Sequence, residues 1–210
     1  MKLMKIIALF LVITPFYAQA NEDALYAPAP PADSAFVRTI NASSDTESTV
    51  AVDGRTFEPS EDARISNYSI LKNGEYEVTH LDQQDTINVK AGHYYSVVIT
   101  SDNAVKLIED DLIEDPSKAK VYFYNLSGTQ AALTAPSHKA TIFENVASLS
   151  SEARDINAVT FDVAIEIDNQ AVKTFPGLSL KRQIGTSIIL FDSQSDDSYE
   201  AIVIENTVQQ

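Results

Sequence analysis

There is no cysteine in this chain of 210 residues, no tryptophan, and only three histidines and six glycines. Without thiols the fold must stand without disulfides, and no Cys-ligated metal or Cys nucleophile exists. His80, His93 and His138 lie far apart in sequence, so a transition-metal site lacks the clustered imidazoles it needs. Six glycines leave no glycine-rich loop of the kind that cradles phosphates. Basic residues are scarce as well: 15 Lys and Arg stand against 30 Asp and Glu, a formal charge of −15. Such a surface repels nucleic acid phosphates and anionic lipid headgroups, so neither is an expected partner.

The catalytic patterns are also thin. A Ser-His-Asp site needs a histidine to take the serine proton and an acid to orient that histidine. The chain has no G-x-S-x-G elbow, no GDS block, and no D-x-x-H near its carboxyl end. His93 enters an apolar run, where a structural or interface role fits better than catalysis, while His80 and His138 sit in polar surroundings. Paired carboxylates of the glycosidase kind stay open in a chain with 30 acids, but no tryptophan is present to hold a sugar ring. The expectation is a non-enzyme with no catalytic residue, no cofactor and no metal.

What is present begins at the amino terminus. Lys2 and Lys5 precede an apolar run from Ile6 to Tyr17, and Ala18-Gln19-Ala20 supplies a small-x-small cleavage site. Together they read as a secretory signal cut after Ala20, hence a periplasmic protein. A membrane-spanning helix would need roughly 20 apolar residues, and Pro15 interrupts this shorter run. No cysteine follows for a lipoprotein anchor, and no later stretch is apolar enough to insert in a membrane. Loss of Lys2 and Lys5 takes the charge to −17.

The remainder divides into four. Residues 21–33 carry Pro28, Pro30 and Pro31 among alanines and read as an extended leader; Leu25 and Tyr26 are its candidate docking side chains. Residues 34–108 read as a first all-β domain. Thr49 to Val52 meets Asp53-Gly54, a type I′ turn signal. Ser66–Leu71, Glu75–Thr79, Thr86–Lys90 and Tyr94–Thr100 follow as strands, with turn signals at the spacing of a sandwich or barrel. The run Tyr94–Thr100 is apolar on both parities, as expected of a strand covered on both faces. Residues 109–118 (EDDLIEDPSK) read as a short acidic linker; calcium would want a glycine-assisted loop with oxygens at spacings this run lacks. Residues 119–210 read as a second β-domain, in which Phe161, Val163, Ile165 and Ile167 alternate with more polar neighbours. Asp168-Asn169-Gln170 is its hairpin turn, Thr186–Phe191 and Tyr199–Ile204 are apolar strands, and the acidic segment between them is a solvated tip.

The halves repeat. Val37–Ser43 aligns with Val121–Ser127 at an offset of 84, and Tyr76-Glu77-Val78 with Phe161-Asp162-Val163 at 85. Gly92 before YYSVVI matches Gly185 before TSIILF. The fold class expected is all-β, with two small antiparallel β-sandwiches in tandem.

Four short motifs then carry a resemblance: Asp23-Ala24-Leu25-Tyr26-Ala27-Pro28, Ser34-Ala35-Phe36-Val37-Arg38 with Asn41, Ala91-Gly92-His93-Tyr94-Tyr95, and Tyr124-Asn125-Leu126-Ser127. In this order they resemble the AlgF family of periplasmic alginate O-acetylation proteins, from Asp23 to about Ser127. The chain departs from that family where Pro136-Ser137-His138-Lys139 replaces a DGK-like turn, and in its greater acidity. The resemblance implies an adaptor without catalytic residues, which contacts periplasmic SGNH-type acetyltransferases and a membrane O-acyltransferase during acetylation of alginate or a related exopolysaccharide. Direct contact with the polysaccharide stays open, and a carbohydrate-binding module or an acyltransferase in its own right are the alternatives. Tyr26, Arg38, His93 and Tyr94, all within the matched motifs, are the candidate partner-binding residues, because tyrosine and arginine bury area while keeping polar groups satisfied.

Overall fold

The protein, a computed structural model, is described at residues 29–43, 45, 49–59, 64–193, 195–196 and 198–209. The expected signal segment, Leu25 and Tyr26 lie outside these residues.

The first half forms eight strands: β1 (Ser34–Asn41), β2 (Val50–Val52), β3 (Arg55–Phe57), β4 (Tyr68–Lys72), β5 (Gly74–His80), β6 (Gln83–Val89), β7 (Tyr94–Ile99) and β8 (Val105–Asp110). The second forms β9 (Lys118–Asn125), β10 (Ala131–Ala135), β11 (Ala140–Val146), β12 (Ser150–Asn157), β13 (Thr160–Ile167), β14 (Gln170–Ser179), β15 (Gly185–Asp192) and β16 (Tyr199–Glu205). A last strand, β17 (Val208–Gln209), returns to the first half and pairs in parallel with β4. The one helical element among the described residues is a single 3-10 turn at Pro136–His138.

Four sheets result, with strand orders β3-β2-β5-β6, β17-β4-β1-β7-β8, β12-β9-β15-β16 and β11-β10-β13-β14. The repeat is visible in them. β1 pairs β4 antiparallel and β7 in parallel, and β9 does the same with β12 and β15. Asn41 and Asn125 end the matched strands alike: each accepts from the backbone N–H and hydroxyl of the serine two residues on, Ser43 or Ser127. Each also donates to a backbone carbonyl four residues on. This explains why the Asn-x-Ser spacing recurs. The turn signals hold too: Asp53 and Gly54 have φ of 52° and 70°, and Asp168 and Asn169 have 51° and 62°, as two-residue hairpins of type I′ require.

Three apolar cores separate the four sheets. Val37, Val52, Val78 and Val97 fill the first sandwich, and Phe123, Leu133, Ile165 and Ile188 fill the second. The third core consists of residues of opposite parity on the same strands: Ile40 and Val98 from β1 and β7 meet Tyr124, Ile189 and Phe191 from β9 and β15. The two sandwiches therefore pack sheet against sheet, and β1, β7, β9 and β15 are covered on both faces. Each fully buried Ile, Leu or Phe contributes about 1.5–3 kcal/mol of transfer free energy, so the middle core is a substantial tie.

The connection between the halves is shorter than the acidic run. Glu109 and Asp110 belong to β8, paired with Tyr95 and Tyr94, and Lys118 opens β9. Asp110 is buried; its carboxylate has hydrogen-bond donors waiting inside, which composition does not reveal.

Candidate interaction site

The polar groups of the molecule converge where the middle core ends. Arg38, on the β1 face opposite Val37, is 1% exposed. Its Nε donates to Ser96 Oγ at 2.8 Å, Nη1 to Asn206 Oδ1 at 2.8 Å, and Nη2 to Tyr124 OH at 2.7 Å and Ser187 Oγ at 2.9 Å. The guanidinium also lies over the Tyr68 ring, 4.5 Å from its centroid, and near that of Tyr124 at 5.2 Å, close enough for cation–π attraction. Asp110 accepts from Tyr68 OH at 2.8 Å, from Ser96 Oγ at 2.7 Å, and from Tyr124 OH.

The repeat explains this arrangement. Ser96 of β7 corresponds to Ser187 of β15. Asp110 stands opposite Tyr94, and Asn206 takes the same place against Gly185, bonding its carbonyl. In each half the serine donates 2.7 Å to that partner, Ser96 to Asp110 and Ser187 to Asn206. Arg38 bridges the two copies. Gly185 leaves room for this packing, since a Cβ there would fall 2.8 Å from Tyr122 Cε2 and 2.9 Å from Asn206 Nδ2 and push one of those side chains aside.

Burial lowers the Arg38 pKa by itself, but Tyr124, Tyr68 and Asp110 outweigh it and the value ends above normal. Burial raises the Tyr68 and Tyr124 hydroxyls well above the ordinary tyrosine value despite the opposing pull of Arg38. Burial is also the first cause of the raised Tyr122 value, with Asp110 adding to it.

Beside this cluster opens a cleft of about 340 Å³ lined by Tyr68, Tyr94, Tyr122, Leu112 and Asn206, among others. Tyr94 is half-buried in it, stacked on Phe36 at 4.2 Å and edge-on to Tyr68 at 5.1 Å; burial raises its pKa. His93, next in sequence, is 43% exposed, and its Nδ1 lies 2.7 Å from Glu109 Oε1.

Of the residues singled out from sequence, Tyr94 reaches the cleft, while His93 is exposed on the other side of the strand, stacked on Tyr95 and beside Glu109. Arg38 does neither: all three of its nitrogens donate within the molecule, so it is an internal tie rather than a surface contact. Tyr26 lies outside the described residues. Sequence reasoning missed Tyr68, Ser96, Asp110, Ser187 and Asn206. The one signal available was the pair of strands apolar on both parities, which marks a second packed face.

The histidines are dispersed. His80 is buried with neither ring nitrogen hydrogen-bonded among the described residues. His138 Nδ1 lies 3.1 Å from Ser137 Oγ on an exposed turn, its ring edge-on to Phe161. No group of three or more His, Asp or Glu side chains among the described residues is placed to hold a metal. No helix among them is long and apolar enough to cross a membrane.

Fold and site together define a class: an all-β protein of two repeat-related sandwiches, locked face to face by a buried polar cluster. The family model described as alginate O-acetyl transferase AlgF matches residues 8–187, and the chain belongs to the AlgF family. It is 27% identical over 202 residues to an alginate biosynthesis protein AlgF of Pseudomonas aeruginosa, covering 96% of this chain and 92% of that one. A similar protein of Pseudomonas fluorescens is 27% identical over 91% of this chain and 87% of its own length. That of Azotobacter vinelandii is 29% identical over 78% and 75%. Among solved structures, the C-terminal domain of AlgF from P. aeruginosa aligns with 43% of this chain and 99% of its own, at 22% identity and a TM-score of 0.39.

Proposed function

We propose that this chain is a non-catalytic periplasmic adaptor for O-acetylation of alginate or a related exopolysaccharide, and that it works by binding the acetyltransferase components. The partners are periplasmic SGNH-type acetyltransferases, with a membrane O-acyltransferase as a second contact. Membership of a family whose members are named for alginate biosynthesis supports the pathway. The observation that carries the adaptor role is where the polar chemistry goes. Arg38, Asp110 and their tyrosines and serines bond one another inside the molecule, and only Tyr68 and Asn206 of the cluster edge the cleft, so its polar groups are committed to the fold. Tyr94, in the cleft beside them, offers an aromatic surface to a partner, and His93, on the Tyr95 side, a separate hydrogen-bonding one.

A second reading rests on the Ser137–His138 contact and on the family description as a transferase. A hydroxyl beside an imidazole is the start of a nucleophile–base pair, but it needs a third group to orient the ring, and none of the described carboxylates bonds His138. An acetyl-ester hydrolysis assay on the protein alone separates the readings. The adaptor gives no turnover above buffer. Turnover lost in Ser137→Ala or His138→Ala would overturn it.

A further inference from the structure

β16 is an edge strand with a partner on one side: among the described residues it pairs with β15 and with nothing beyond. An edge strand presents unpaired N–H and C=O groups, and proteins normally blunt it with lysines, prolines, bulges or shortness. The other edges here show such devices. β3 and β17 are two or three residues long. β14 carries Lys173, Pro176 and a left-handed Gly177 at φ 64°, with register shifts against β13. β12 carries Glu152, Arg154 and Asp155, β8 carries Lys106 and Glu109, and β11 carries Glu144 with Asn145 at φ 54°. β6 is polar and exposed over its first four residues. β16, reading YEAIVIE, has no basic residue, no proline and no glycine, and pairs with β15 in unbroken register from Tyr199 to Glu205.

It is also packed on both faces. Tyr199, Ala201 and Val203 pack on the second sandwich core, while Ile202 and Ile204 pack on the core between the sandwiches. Two backbone bonds fix which groups point out. Asn206 N–H donates to Gly185 O at 2.7 Å and Ser193 N–H to Ser198 O at 2.9 Å, so the even-numbered residues bond β15. By the alternation of an antiparallel ladder, Tyr199, Ala201, Val203 and Glu205 aim their backbone groups at the open edge.

We propose that β16 is a strand-addition site, onto which an extended segment of a partner protein docks through backbone hydrogen bonds. Charge selects the occupant. Glu200 and Glu205, 47% and 43% exposed, pair with Arg64 and Lys181, so the acidity that selects comes from the neighbouring loop and the net charge. The segment just before β16 holds Asp192 and Asp196, and the chain as a whole is at −15. A second copy of this chain is repelled by that charge. A β-segment carrying lysine or arginine where it passes this acidic end is favoured. The inference rests on the adaptor reading, and supplies the edge at which it acts.

The test is amide hydrogen exchange on the full chain, alone and in complex with the SGNH-type acetyltransferase, with Ala201→Pro in parallel. Proline at 201 removes an outward N–H and none of the bonds to β15, so the ladder stays intact. In the free chain the Tyr199, Ala201, Val203 and Glu205 amides exchange quickly and their even-numbered neighbours slowly. In the complex the four become protected, and Ala201→Pro weakens binding at least about tenfold, a figure set by the loss of about one to two backbone bonds. A complex that leaves these amides unprotected and forms equally well with Ala201→Pro overturns the strand-addition site while leaving the adaptor reading intact. No complex at all overturns both. Protection that appears in the free chain with rising concentration assigns the edge to self-association instead, and overturns the choice of partner.

Discussion

Arg38 and Asp110 are joined through hydroxyls. Ser96 Oγ accepts from Arg38 Nε and donates to Asp110 Oδ2, and Tyr124 OH accepts from Arg38 Nη2 and donates to Asp110 Oδ1. Two buried, opposite charges are thus each satisfied by the same neutral groups, and those groups come from both halves of the repeat. Leaving either charge alone in this setting is costly, which makes the cluster the point most sensitive to substitution.

Arg38→Met is expected to lower stability by about 3–5 kcal/mol, because Asp110 is left buried without the compensating cation. Asp110→Leu is expected to fall in the same range. The double variant recovers much of the loss, since matched removal of a buried pair costs less than removal of one member. Urea unfolding of the four proteins, read as a double-mutant cycle, measures this.

Alkaline pH is expected to loosen the same place. Folding raises the Tyr68 and Tyr124 hydroxyl pKa values above the usual 10.0. The unfolded chain therefore loses these protons first as pH rises. Their contribution is complete below pH 10 and falls away progressively above it. Melting temperature against pH, together with phenolate absorbance, follows it. In Tyr124→Phe the decline above pH 10 becomes shallower.

Gly185→Ala is expected to destabilise by roughly 1–3 kcal/mol, the usual range for forcing extra volume into a packed interior. The new methyl displaces Tyr122 or Asn206, and Asn206 is one of the acceptors of Arg38. Gly54→Ala is the control: nothing lies within 4 Å of a Cβ there, so only the left-handed backbone at φ 70° resists it.

His80→Leu is expected to leave stability unchanged or to raise it by up to about 2 kcal/mol, because two buried nitrogens without partners are replaced by apolar surface. Thermal unfolding at neutral pH measures it. A loss of several kcal/mol would mean that the imidazole is hydrogen-bonded.

Much of the fold was legible in the residues, and the reasons are local. Asp53-Gly54 and Asp168-Asn169 mark hairpins through their tolerance of positive φ, and Asn41-x-Ser43 and Asn125-x-Ser127 mark the repeat because each closes the same turn. The alternation of Phe161 to Ile167 gives the half-buried strand directly. The packing of one sandwich on the other was harder to read. Strands such as Tyr94–Thr100 signal two covered faces, but sequence does not say which surface covers the second. Asp110 was invisible for a related reason. Within an acidic run nothing distinguishes the carboxylate that meets Tyr68, Ser96 and Tyr124 from its solvated neighbours. Arg38 was picked for its chemistry, and its chemistry is spent inside.

The two exposed candidates give a smaller expected effect. His93→Ala removes an exposed contact with Glu109, and such surface pairs are worth about 0–1 kcal/mol. Its stability should hardly change, as circular dichroism melts would report, while affinity for the acetyltransferase falls together with that of Tyr94→Phe.

The central claim is binding without catalysis, and the most direct measurement is a calorimetric titration of the full chain against an SGNH-type acetyltransferase from the same organism. The account predicts saturable binding that weakens in Tyr94→Phe, which keeps the ring contacts with Phe36 and Tyr68, while the melting temperature of that variant stays close to the parent. No binding heat up to high micromolar concentration, with the acetyltransferase folded and active, would contradict it.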